Sequence, residues 1–188
     1  QATGTSSDIT VNQVVSSSAG NITANAGKDI TIASTVVTGG NIDLTAGGSI
    51  AESGAGKITN AALLSTTSKG SQTLKGQNTV HSLNATNNGA GDIELVNTAG
   101  LLTITGMTQT AGGDIAVNNA GDIRTTGAIS TTGAISPATD GNISLTAAGS
   151  ETIDAAITAG GSGNVTLQAT GTSSDITVNQ VVSSSAGN

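Results

Sequence analysis

At 188 residues and a net charge of −7, the chain has 27 Gly, one Pro, one Met and no Phe, Tyr, Trp or Cys, yet 35% of it is apolar. Ala, Ile, Leu and Val stand in for aromatics, and the recurring β-branched residues exclude an ordinary disordered profile in favour of strands around a narrow aliphatic core. The cations Lys28, Lys57, Lys69, Lys75 and Arg124 are scattered and no aromatic offers a stacking platform, so nucleic acid is excluded as a partner.

Gln1 to Asn21 (QATGTSSDITVNQVVSSSAGN) recurs unchanged as Gln168 to Asn188, an offset of 167 positions. The chain thus reads as one continuous segment, 1–188, in which 1–167 is a full repeat unit and 168–188 starts the next identical one. Gln1 falls inside the repeat, so no targeting segment is expected here. No apolar run reaches the roughly 18 residues of a membrane span, and no membrane insertion by this segment is expected.

Along the chain, a Gly-rich corner, an Asx residue and an apolar-polar-apolar triplet recur as Asn21-Ile22-Thr23-Ala24, Asn41-Ile42-Asp43-Leu44, Asp92-Ile93-Glu94-Leu95, Asp114-Ile115-Ala116-Val117, Asn142-Ile143-Ser144-Leu145 and Asn164-Val165-Thr166-Leu167. Gln72-Thr73-Leu74 is a degenerate member. Period-two alternation turns Ile22, Ile42, Ile93, Ile115, Ile143 and Val165 inward as one stacked column, with Ala24, Leu44, Leu95, Val117, Leu145 and Leu167 as its neighbour. Second short strands follow at Ile30 to Ile32, Ile50, Leu102 to Ile104, Ile123, Ile153 and Ile176 to Val178. Third strands are expected at Val36-Val37, Ile58 to Leu64, Ile129, Ile157 and Val181-Val182.

The first strands begin near residues 22, 42, 74, 93, 115, 143 and 165, which defines seven coils per 167 residues, two of them long. The interval from 42 to 74 reads as one coil with an extended third strand, or as two short coils, making eight. The interval from 115 to 143 holds a tandem hexapeptide, TTGAIS, at Thr125 to Ser130 and Thr131 to Ser136. The extra copy, followed by Pro137, is expected to bulge, because Pro cannot donate to a central ladder.

Three short strands per coil of about 20 residues, with Gly, Asn, Ser and Thr corners, describe an all-β, single-stranded parallel β-helix. Helix is disfavoured by Gly within every Ala-rich window. A β-sandwich would need tight hairpins and usually an aromatic core.

The strings GGNIDLTAGGSI (Gly39 to Ile50), GAGDIELVNTAGLLTITG (Gly89 to Gly106), AGGDIAVNNAGDI (Ala111 to Ile123) and GNISLTAAG (Gly141 to Gly149) resemble the shaft repeats of filamentous haemagglutinin-like adhesins of the two-partner-secretion family. GKITNAALLSTTSKG (Gly56 to Gly70) and GQNTVHSL (Gly76 to Leu83) are similar to them too, so the likeness spans essentially the whole chain. The resemblance implies a right-handed solenoid in the shaft of a very long protein, extracellular or at a Gram-negative cell surface. The family's Asn-Pro-Asn secretion signature is missing, which marks a shaft segment rather than an export domain. Expected partners are adjacent repeats stacked along the axis, further copies associating head to tail, and a glycan or partner-cell surface.

Asn21, Asn41, Asp92, Asp114, Asn142 and Asn164 are the most regular polar feature, and they read as corner residues that cap local backbone. The alternative is calcium, but Gly160-Gly161-Ser162-Gly163-Asn164 and Gly89-Ala90-Gly91-Asp92 only approach the nonapeptide pattern that binds it. A polysaccharide-degrading enzyme would need paired carboxylates and usually an aromatic cleft, whereas the acids here are dispersed and His81 and Arg124 point outward. An ice-binding face would need a Thr-x-Thr rank repeated coil after coil. The outward series Thr23, Asp43, Thr73, Glu94, Ala116, Ser144, Thr166 is mixed. No catalytic residue, metal or cofactor is expected, and the chain reads as a structural element supplying length and stiffness for cell adhesion or cell–cell contact.

Overall fold

The computed structural model describes residues 1–132 and 141–185. The fold is a parallel β-solenoid of about eight turns with no helix among the described residues. Each turn has a long strand on one side of a flattened core and two short strands on the other. A pair of short strands, β1 (Ile9–Val11) and β2 (Val15–Ser17), precedes long β3 (Ile22–Ala26). Short β4 (Ile30–Ile32) and β5 (Thr35–Thr38) lead to long β6 (Asn41–Ala46), and short β7 (Ile50–Glu52) and β8 (Lys57–Ala61) to long β9 (Leu63–Ser68).

The middle departs from this rhythm. β10 (Gln72–Val80) is a short pair run together, long β11 (Ser82–Asn87) follows, and a second long strand, β12 (Ile93–Asn97), comes next with no short pair between. β13 (Leu101–Gln109) is another joined pair. The rhythm then resumes: long β14 (Ile115–Asn119), short β15 (Asp122–Thr125) and β16 (Ile129–Thr131), long β17 (Ile143–Ala147), short β18 (Glu151–Ile153) and β19 (Ile157–Ala159), long β20 (Val165–Ala169), short β21 (Ile176–Val178) and β22 (Val182–Ser184).

The consequence is an exchange of sides. One sheet runs β1-β4-β7-β10-β12-β14-β17-β20, and the other runs β3-β6-β9-β11-β13-β15-β18-β21. Long strands belong to the second sheet up to β11 and to the first sheet from β12 onward. Where β12 lies over β10 the register skips between Leu74 and Asn78, and where β13 lies over β11 it shifts between Leu83 and Asn84. At those points a long strand meets a joined short pair, and the pair's extra corner residues bulge out of the ladder.

The expected single column is therefore corrected to two. Ile22 and Ile42 stack with Leu64 and Leu83 in the second sheet. Ile93, Ile115, Ile143 and Val165 continue instead from Ile9, Ile30, Ile50 and Gln72 in the first. Ala24 and Leu44 likewise part from Leu95, Val117, Leu145 and Leu167. The interval from 42 to 74 is neither one coil nor two, since Ile42 meets its neighbour already at Leu64 and the rest is half a turn. The Asx-Ile-x-Leu signature is absent from β9 and β11, so the motif alone does not reveal that two long strands were skipped.

All these residues point inward. Ile42, Leu44, Ile93, Leu95, Ile115, Val117, Ile143 and Leu145 are buried, while Ile22, Ala24, Val165 and Leu167, in the end turns, are half-buried against the same core. The long interval from 115 to 143 is a single turn, because Ile115 pairs directly with Ile143. The first TTGAIS copy supplies Ile129 and Ser130 of β16 and the second copy its Thr131; residues 133–140, with Pro137 and most of the second copy, the expected bulge, lie outside the described residues.

Candidate functional surfaces

The Gly-Asx corners stack tightly enough to explain their composition. A Cβ at Gly113 would collide with the carbonyl oxygen of Gly91, and one at Gly163 with that of Gly141. The side chains of Asn21, Asp92, Asp114 and Asn142 then reach along the axis instead of capping their own turns. The Asp92 carboxylate accepts the Asp114 amide at 2.9 Å, Asp114 accepts Asn142 at 2.8 Å, and Asn142 accepts Asn164 at 2.9 Å. This rank belongs to the first sheet, where Asp8 and Asp29 continue it: Asp8 accepts the Asp29 amide at 3.1 Å, and Asp29 accepts Ser49 at 2.7 Å. Asn21 and Asn41 form a separate rank in the second sheet, with the Asn41 amide 3.0 Å from Asn21 Oδ1. The corner residues thus form two ranks, and their bonds join successive turns rather than capping local backbone as expected, which ties neighbouring coils together beyond the strand ladders.

Among the described residues no three His, Cys, Asp or Glu side chains come together to hold a metal ion. Asp29 is held below the usual carboxylate range by the Ser49 amide and then by Lys28, 3.1 Å away. Asp154 is lowered similarly by Asn179 and by Arg124, whose Nε is 2.7 Å from it. His81 is exposed, with Nδ1 3.1 Å from the carbonyl oxygen of Ala61. These are surface pairings that hold adjacent coils in register.

Grooves mark the outer face of the first sheet near the exchange, among them the following two. One, of about 220 Å³, is floored by the small outward side chains Ala116 and Ser144 and walled by Glu94, Val96 and Asn118, with Lys75 2.8 Å from Glu94 at its mouth. The other, of about 180 Å³, lies between the Ser53–Gly56 turn and the bulge at Lys75 and Gly76. Glu52 lines it. Its Oε2 accepts the Gly76 amide at 2.6 Å and Asn78 Nδ2 at 3.1 Å, and burial raises its pKa. Both are shallow, hydrogen-bonding surfaces.

The interior holds polar residues that composition did not single out. Asn78, Asn97 and Asn119 stack in one buried file: Asn78 Oδ1 accepts the Ile58 amide at 2.7 Å, Asn97 Oδ1 accepts Val80 at 2.8 Å, and Asn97 Nδ2 donates to Asn119 Oδ1 at 3.0 Å. Gln72 stands between Ile50 and Ile93, satisfied by Thr66, Ser68 and the Thr86 carbonyl at 2.6, 2.9 and 2.8 Å. Glu151 is fully buried between Ile123 and Ile176. Its Oε1 accepts the Gln168 amide at 3.3 Å, Oε2 has no partner, and desolvation pushes its pKa up to about 7. Parity could have found these residues: Asn97 and Asn119 are two positions beyond inward Leu95 and Val117, and Glu151 is two before inward Ile153.

No family profile, curated protein or solved structure matches this chain. What is established is the class: an all-β parallel solenoid with an aliphatic core and bonded Asx corners.

Proposed function

We propose that the chain is a shaft segment of a long, repetitive adhesin or filament of the filamentous haemagglutinin-like kind, secreted or held at a bacterial surface, giving length and rigidity for adhesion or cell–cell contact. The observation that carries this reading is the ladder itself, which runs from β1 to β22 with its core uncovered at the first turn. Its mechanism would be mechanical. Bending such a rod opens strand ladders, Asx bonds and buried aliphatic contacts together, so the rod resists bending and keeps a distal binding region at a fixed distance.

Rods built from one, two and three 167-residue units test this by negative-stain imaging. Each added unit should lengthen the particle by about 36 Å, for seven and a half turns at a strand spacing of about 4.8 Å. Particles that thicken or become globular as units are added would sink the shaft reading.

A further inference from the structure

We propose that consecutive 167-residue units are related by half a revolution about the axis, joined through a seam whose two sides this chain already carries. The proposal rests on the tandem-shaft reading for its biological meaning, but not for its geometry.

Identical sequence occupies opposite sides of the core. Ile9-Thr10-Val11 and its copy Ile176-Thr177-Val178 have the same sequence, yet Ile9 pairs with Ile30 in the first sheet and Ile176 pairs with Glu151 in the second. Val15 pairs with Val36, whereas its copy Val182 pairs with Ile157 in the second sheet. From the first short pair to the last, the described residues pass through eight long strands and seven further short pairs, fifteen half-turns. The odd number comes from the two successive long strands β11 and β12. A unit of seven and a half turns cannot return its sequence to the side on which it started.

The opposite end gives an independent sign of the same seam. Ala169 ends long β20 by pairing with Ala147 in the first sheet, while its copy Ala2 bridges Ala26 in β3, in the second. Extending that bridge backwards in parallel register places a second unit's Val165 over Ile22 and its Leu167 over Ala24, as Val165 and Leu167 here cover Ile143 and Leu145. The surface waiting for them is an apolar cavity of about 200 Å³ lined by Ile9, Val11, Ile22, Ala24 and Leu44. The occupant it fits is therefore β20 of another copy.

A surface feature repeated in every unit then alternates sides. The groove at Glu94, Ala116 and Ser144 would appear about every 36 Å along the rod on opposite faces, and about every 72 Å on the same face. A partner reading that groove would meet it from both sides of the filament.

Spin-label distances within this 188-residue chain test the geometry directly, using the exposed positions Thr10, Thr23, Thr166 and Thr177. The pairs Thr10→Cys/Thr166→Cys and Thr23→Cys/Thr177→Cys each span seven strand spacings in one sheet and should both read about 34 Å. The pair Thr10→Cys/Thr177→Cys crosses the core and should read roughly 8 Å longer, given sheets about 10 Å apart with labels outside them. The reverse ranking, with Thr10/Thr177 the shorter and Thr23/Thr177 the longer, would overturn the half-turn. The expected ranking in a chain whose concatenated units fail to lengthen would leave the half-turn standing and remove the shaft.

Discussion

From β3 to β9 the long strands lie in the second sheet, and from β12 to β20 they lie in the first, yet the two regions bury the same kinds of residue in the same alternation. Ile42 and Leu44 in one region and Ile115 and Val117 in the other are equally sealed from solvent. The difference teaches that the Asx-Ile-x-Leu motif specifies a long strand but not a side. The core is nearly symmetric about its axis, so the side is inherited from the preceding coil, and an exchange requires only bulges where long and paired short strands meet.

If the regions are equivalent, Ile42→Ala and Ile115→Ala should each destabilise by roughly 2–5 kcal/mol through lost burial and a residual cavity. Outward Asp43→Ala and Ala116→Ser should stay within about 0.5 kcal/mol. Urea melts of the four variants check this. A large loss in only one region would break the equivalence.

Two of the buried polar residues differ from each other, because Gln72 is fully bonded and Glu151 is not. The folded state holds the Glu151 proton up to about pH 7 while the unfolded chain releases it near 4.5. The folded form therefore binds more protons between those values, and this group's contribution to stability is full below pH 4.5 and lost as pH rises through 7. A shift of this size corresponds to about 3 kcal/mol. Glu151→Ile should raise stability by a comparable amount at pH 8 and flatten the pH profile between 4.5 and 7. Gln72→Leu, which takes away the acceptor of Thr66 Oγ1 and the donor to the Thr86 carbonyl while Ser68 keeps its bond to the Gly70 carbonyl, should instead lower stability by about 1–3 kcal/mol at every pH. Denaturant melts of both variants across that pH range would contradict the account if Glu151→Ile kept the wild-type slope.

At the exchange itself, Gly106 holds a φ of 155° where β13 takes its extra residue over β11. Gly106→Ala should lower the melting midpoint by the equivalent of about 1–2 kcal/mol. No change there would mean that the bulge can be built without that backbone angle.

Most strand positions, inward parity and the solenoid class were legible in the sequence because alternation and turn residues are local signals, whereas β11 was missed and the stretch from Ile58 to Leu64, expected as one strand, is divided between β8 and β9 on opposite sheets. The stacking partner of Ile42 was not legible, because Leu64 lies in Leu63-Leu64-Ser65-Thr66, which lacks the Asx-Ile-x-Leu signature. Counting signatures therefore assigned the interval from 42 to 74 to a whole number of turns. The bonding of the Asx corners was half-legible: Gly-Asx spacing marked the corner, but the choice of the next turn's amide over the local one depends on stacking distance. Glu151 was visible by parity, yet only burial between Ile123 and Ile176 reveals what an acid there must do.

The half-revolution between units is read out by helical reconstruction of images of multi-unit rods. Adjacent units should be related by a rise of about 36 Å with a rotation near half a revolution, offset only by the accumulated twist of the sheets. The same rise with a rotation near zero would contradict the exchange of sides, and with it the seven-and-a-half-turn unit.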